Sequence, residues 1–181
     1  MDDYAFYIFA LICMYEATFE ELYLERAGAL CKKAVAQFFD CENGGFTFSG
    51  SQNETLILNP KETYDGAMPS GNSVMAYNLK RLAALTKSDE LYELQNKQEA
   101  FMNSEAQGYP AGYGFYLYAA LPAKEIVCVP APDDDLSGIR VKSNWIFRVM
   151  HDPAYPLLSA KTTFYVCTGS ACLPGTNEIP E

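Results

Sequence analysis

From Asp3 to Ala17 the chain carries only two charged residues, Asp3 and Glu16, in a run otherwise built from Tyr, Phe, Ile, Leu, Met, Cys and Ala. A helix of this composition is apolar on nearly every face and has to be covered on all sides, so the run reads as an inner helix. Its apolar stretch from Tyr4 to Tyr15 is too short to cross a bilayer and follows two aspartates rather than basic residues. Those features exclude a membrane helix and a signal peptide.

An outer helix is expected next. Thr18 followed by Glu21 has capping-box spacing. Leu24, Ala27, Cys31, Ala34, Val35 and Phe38 then recur at helical spacing opposite Glu25, Lys32, Lys33 and Gln37. The same order returns further on: Ser73 to Leu85 is mostly apolar, and Ser88 caps a more polar helix with Leu91, Leu94 and Phe101. Glu21-Leu22-Tyr23 and Glu90-Leu91-Tyr92 stand at equivalent places in the two copies. Each inner/outer hairpin has an apolar face that it cannot bury alone, so copies are expected to stack. Gly112 to Leu121 reads as a third inner helix.

Between the copies, Gly44-Gly45, Phe46-Thr47-Phe48, a polar turn and Leu56-Ile57-Leu58 predict a β-hairpin ending at Pro60. After Pro122 the pattern changes. Glu125 to Val129 and Lys161 to Cys167 read as strands, Ile139 to Met150 fits helix or strand, and Pro174 to Glu181 reads as a loose tail. The expected fold is mainly α, with stacked helical hairpins over residues 1–122 and a small β-containing appendage over residues 123–181.

Composition narrows the partners. With 49% hydrophobic residues the chain can bury a core, which excludes a disordered reading. A net charge of −10 with no Lys/Arg cluster offers nothing to a phosphate backbone, so nucleic acid is excluded as a partner. The six cysteines do not follow the spacing of a disulfide-dense secreted module, and a reducing cytoplasm is the expected location.

Several motifs occur in a familiar order: Asp2-Asp3-Tyr4-Ala5-Phe6, Tyr15-Glu16-Ala17-Thr18, Gly44-Gly45-Phe46, Pro60-Lys61-Glu62, Tyr64-Asp65-Gly66-Ala67 and Pro69-Ser70-Gly71-Asn72-Ser73-Val74. With these the chain resembles the C-terminal part of the YyaL-like, spermatogenesis-associated protein 20 proteins, and Glu125 to Val129, Tyr165-Val166-Cys167 and Cys172 match the family's end. The resemblance implies part of an (α/α) toroid similar to that of the N-acylglucosamine and cellobiose 2-epimerases. It also implies that the family's N-terminal thioredoxin-like domain and early hairpins are absent here. The stretch from Pro130 to Ala160 is shorter and more diverged than the family's.

In such a toroid the loops leading into the inner helices surround a central cavity. On that geometry Glu62 and Asp65 are the candidate catalytic acid and base, and Asp3, Tyr4, Lys61, Tyr64, Ser70 and Asn72 the candidate ligand-binding residues. The alternative is structural: Asp65 and Ser70 cap turns, Lys61 pairs with Glu62, and Asp3 caps its helix. Tyr109, Tyr113, Phe115, Tyr116 and Tyr118 either stack on sugar rings or fill the core. The single histidine, His151, reads as a loop residue, so the histidine pair implied by the epimerase resemblance is missing.

Cys167 and Cys172 match the family's pair. They are either a redox-active or structural disulfide or free thiols, since the spacing is not that of a thioredoxin centre and no zinc set surrounds them. Cys13, Cys31, Cys41 and Cys128 are assigned to packing or incidental exposure.

Three functions stay in view: carbohydrate binding or processing, a self-associating scaffold, and a redox-linked accessory role for Cys167 and Cys172. The expected partner is a small carbohydrate, a second copy of the chain, or the family's N-terminal domains. No membrane, metal or cofactor is expected.

Overall fold

The apolar N-terminal run is a helix, α1 (Asp2–Thr18), with Asp2 and Asp3 in the first turn, where the helix dipole favours carboxylates. The computed structural model describes residues 1–54, 56–168 and 171–180. Helix α1 buries one stripe, Ala5, Ile8, Leu11, Ile12 and Tyr15, and leaves Tyr7 57% and Met14 41% exposed. The expected cover on all sides is therefore not found. One apolar stripe docks the helix, Tyr4, Phe6 and Phe9 pack partly buried beside it, and Tyr7 and Met14 are exposed.

The Thr18–Glu21 capping box does not form. Helix α1 continues through Thr18, and α2 (Glu21–Phe38) has Glu20 at its N-cap with no side-chain capping bond. Phe19 makes the turn with φ 58°, a left-handed conformation costly for a bulky residue. Its ring packs on Phe147 at 5.2 Å, and that burial offsets the backbone cost. Helix α2 buries Ala27, Cys31, Ala34 and Phe38 and turns Glu25, Lys32 and Lys33 outward, as the periodicity predicts.

Helix α3 (Gly71–Thr86) is capped by Ser70, whose hydroxyl accepts from the Ser73 N–H. Every residue of it except Lys80 and Thr86 is buried, because α3 lies between neighbours on both flanks. Helix α4 (Asp89–Ala106) starts at the Ser88 cap that the sequence indicates. The third inner helix, α5 (Gly114–Ala120), follows a single 3₁₀ turn at Pro110–Gly112 and is shorter than the pattern predicts.

Among the described residues between α2 and α3 there is no strand. Phe46 makes one isolated bridge with Phe39. Phe48 N–H donates to Pro60 O at 2.8 Å, and the Asn59 side chain accepts from Ser49 N–H and donates to Ser49 O. A strand needs one buried face, yet Leu56, Ile57 and Leu58 are all exposed, Ile57 fully at 101%. The expected hairpin is thus an irregular loop pinned by side chains. Thr55, within its expected turn, lies outside the described residues.

Residues 1–15 and 20–121 form one compact unit, and residues 16–19 with those from Pro122 onward form another. In the second unit β1 (Lys124–Val129), β2 (Trp145–Val149), β3 (Thr163–Thr168) and β4 (Ala171–Cys172) make a sheet of order β2-β1-β3-β4. β1 and β2 are parallel and the other pairs antiparallel. Within Ile139 to Met150, the ambiguous stretch, the final residues are strand. Ile126, Cys128, Trp145, Phe147 and Phe164 pack together, as do Val127, Val129, Tyr165 and Cys167. The tail is held rather than loose: Phe164 and Thr176 exchange backbone hydrogen bonds, and Asn177 Nδ2 donates to Thr162 O at 2.9 Å. Glu181 lies outside the described residues. No helix among those described is long and apolar enough to cross a membrane.

Candidate functional site

The leading ends of α1, α3 and α5 lie together. A Cβ on Gly71, the first residue of α3, would collide with Asp2 Oδ1 of α1, so the absence of a side chain lets the two helix starts approach. Asn78 Nδ2 on α3 donates to Ala5 O on α1 at 2.8 Å. Tyr77 packs against both Phe9 of α1 and Phe115 of α5, and Lys80 Nζ donates to Ala119 O and Leu121 O at the far end of α5. The three inner helices therefore run in one direction.

Asp65 joins two of these ends. Its Oδ1 accepts from Ser70 N–H at 2.8 Å, and its Oδ2 accepts from Phe115 N–H at 2.8 Å and Tyr116 N–H at 3.1 Å. A carboxylate suits the free N–H groups of a helix start, which have no carbonyl partner of their own. Asn72 performs a similar role deeper in the fold, where it is 2% exposed. It accepts from Phe46 N–H, donates to Phe46 O and Glu62 O, and receives a bond from Gln98 Nε2 of α4. Ser70 Oγ donates to Thr63 O.

Lys61 pairs with Asp40 rather than Glu62, as a salt bridge of 2.8 Å. It also donates to Gly44 O and sits 5.0 Å from the Phe101 ring centre. Hydrogen bonds from Lys61 and then Asn43 hold the Asp40 carboxyl well below the usual carboxylate range. Gly44 and Gly45 both have positive φ, and a Cβ on Gly45 would strike the Phe101 ring. Glycine is therefore required for this loop to lie against α4.

The remaining candidates are peripheral. Glu62 is exposed, and no hydrogen bond or ion pair engages its carboxylate among the described residues. Tyr64 and Tyr109 are 60% and 59% exposed, and both rings lie where a Cβ on Gly112 would be. Asp3 is exposed, and Tyr4 packs its ring 5.6 Å from Phe38. The structure thus links Asp65, Ser70 and Asn72 around the start of α3 through backbone contacts, and among the described residues no hydrogen bond joins the side chains of Glu62 and Asp65. The aromatic group divides: Tyr113 and Tyr116 are core residues, whereas Tyr118 is partly open.

Sequence reasoning missed Asp40 and Gln98. Asp40 was detectable, since an Asp before Asn43-Gly44 marks an Asx turn, and its carboxylate accepts from the Glu42 and Asn43 N–H groups. Gln98 gives no local signal. A shallow cleft between α2 and α4, lined by Lys32, Val35, Ala36, Glu90, Leu91 and Leu94, contains none of the predicted site residues. Among the described residues no group of three or more His, Cys, Asp and Glu side chains is placed to hold a metal ion. His151 is exposed in the loop after β2.

Cys167 and Cys172 are joined as a disulfide, which resolves their alternatives against free thiols. Cys31 and Cys128 are buried, and burial pushes each thiol up to about 12. Cys13 and Cys41 are exposed.

No protein-family model matches the chain. Spermatogenesis-associated protein 20 of Rattus norvegicus is 42% identical over 87 residues, which is 48% of this chain and 11% of that protein. About half of the chain is homologous to part of spermatogenesis-associated protein 20. The Homo sapiens protein of that name is 40% identical over 87 residues, again 48% of this chain and 11% of the relative. An uncharacterized protein of Caenorhabditis elegans is 32% identical over 96 residues, 53% of this chain and 13% of the relative. The chain is thus matched over about a tenth of the length of these relatives.

Proposed function

We propose that this chain is a non-catalytic helical-hairpin module, a segment of an (α/α) array that associates with further helices through the open sides of its inner row. The observation that carries this reading is the use of the polar cluster. Asp65 and Asn72 are engaged by backbone groups that fix loop geometry, while apolar side chains such as Tyr7 and Leu117 stay exposed on α1 and α5. A stacked-hairpin array with apolar outer faces gains by covering them, and a second copy is the simplest cover. Light scattering tests this: the reading expects a mass above that of one chain, and a monodisperse monomer at high concentration would sink it.

A second reading, carbohydrate binding, is favoured by one feature. Tyr64 and Tyr109 expose two rings around Gly112, and Glu62, with its exposed carboxylate, stands two residues before Tyr64 in the chain. Aromatic faces and a carboxylate are the groups that grip a sugar ring and its hydroxyls. Titration with mono- and disaccharides, followed by tyrosine fluorescence and by the Tyr64→Ala variant, tests it. Saturable binding that the variant loses supports it, and no binding at millimolar sugar removes it.

A further inference from the structure

We propose that Cys172 is a thiol-exchange site, so that the Cys167–Cys172 bridge is opened and closed by small thiols. The two sulfurs lie in very different places. Cys167 is 6% exposed and packs with Val127, Val129 and Tyr165, whereas Cys172 is exposed on the two-residue strand β4. An incoming thiolate can therefore reach only the Cys172 sulfur. The Tyr155 hydroxyl lies 3.6 Å from Cys172 Sγ, with its ring held edge-on to Tyr165 at 5.2 Å. A phenol placed there donates to the thiolate form of Cys172 and favours it.

The bridge also has little else to do. It joins residues facing each other across β3 and β4 with a sequence separation of 5, and a loop this short restrains the unfolded chain less than a long one. The tail beyond it is held separately, by the Phe164–Thr176 backbone pair and by Asn177. Opening the bridge leaves that attachment in place.

The exchange balances as two displacements. A monothiol such as glutathione, as its thiolate, attacks Cys172 Sγ; the Cys167–Cys172 bond breaks, a mixed disulfide forms on Cys172, and the electron pair leaves on Cys167 Sγ, which takes a proton from water. A second thiolate then attacks the glutathione sulfur of the mixed disulfide and releases Cys172 as a thiolate. Two glutathiones are oxidised to their disulfide and the protein is reduced by two electrons.

The test equilibrates the folded full chain with reduced and oxidised glutathione at several ratios, traps free thiols and maps the tryptic peptide that follows Lys161, which carries both sulfurs. The expected result is reversible opening with glutathione found on Cys172 and unchanged far-UV circular dichroism. In C167S the remaining Cys172 takes up glutathione from its disulfide, and in C172S the buried Cys167 reacts at least about tenfold more slowly. Y155F shifts the pH profile of Cys172 alkylation upward in the reduced chain. A bridge that stays closed in reduced glutathione while the protein is folded, or glutathione found on Cys167, overturns the proposal, and an unmoved profile in Y155F removes Tyr155 from it.

Discussion

At the scale of single residues, the polar cluster before α3 is engaged by backbone groups. Asp65 accepts three backbone N–H bonds from two helix starts, so removing its carboxylate strands those donors. Asp65→Ala is expected to lower stability by about 2 kcal/mol in urea unfolding, with Asp65→Asn losing less because one oxygen remains. A loss within error would show that water replaces the carboxylate freely. Asp40 gives a pH-linked counterpart. Its folded carboxyl is held below its usual value of 3.8 by the Lys61 hydrogen bond. The pair therefore contributes at neutral pH, and its contribution is lost as pH falls through 3.8 toward the lower folded value. In Lys61→Met the Asp40 carboxyl is expected to titrate at higher pH, read from its carbon-13 shift; an unchanged midpoint would place the cause elsewhere. Cysteine reactivity follows burial in the same way. Cys31 and Cys128, each pushed up to about 12, should resist iodoacetamide at neutral pH until the chain unfolds, whereas exposed Cys41 should label in the native state.

Among elements, legibility followed how local the stabilising contacts are. The helix from Glu21 and the strands β1 and β3 were readable from side-chain pattern, and the helices from Gly71 and Asp89 from pattern and a nearby cap; Ser70 and Ser88 each bond three residues ahead. The loop before α3 was not readable, because what fixes it lies far off in sequence. Asn72 holds Phe46 across 26 residues and Lys61 holds Asp40 across 21. A run such as Leu56-Ile57-Leu58 looks like a strand when nothing local reports that it lacks a face to bury. The same limit explains Thr18, where continuation of α1 displaced the capping box. The candidate site shared this limit: Asp65, Ser70 and Asn72 meet around the start of α3, but the partners of Asp65, backbone amides of Phe115 and Tyr116, gave no sequence signal. Asn72→Ala is the direct check on the element as a whole. It deletes the contacts to Phe46, Glu62 and Gln98 together and is expected to cost about 3 kcal/mol, with protease cleavage appearing first between α2 and α3.

In the first unit the three parallel inner helices have a nearly buried central member, α3, and exposed apolar side chains on α1 and α5. Helix α3 shows what such a helix becomes when neighbours cover both flanks, since nearly its whole length is buried. Helices α1 and α5 are less deeply buried, and Tyr7, Leu117 and Leu121 are exposed. Two forces then compete at the scale of the whole molecule. Exposed apolar side chains favour association at about 25 cal/mol per Å² covered, while a net charge of −10 opposes the approach of a second copy. Salt weakens the second force and leaves the first nearly intact. The average mass from light scattering is therefore expected to rise as salt is raised, and Tyr7→Glu is expected to hold it near that of one chain at every salt concentration. An assembly that dissociates on adding salt would mean that charge pairs, not the apolar side chains, hold the copies together.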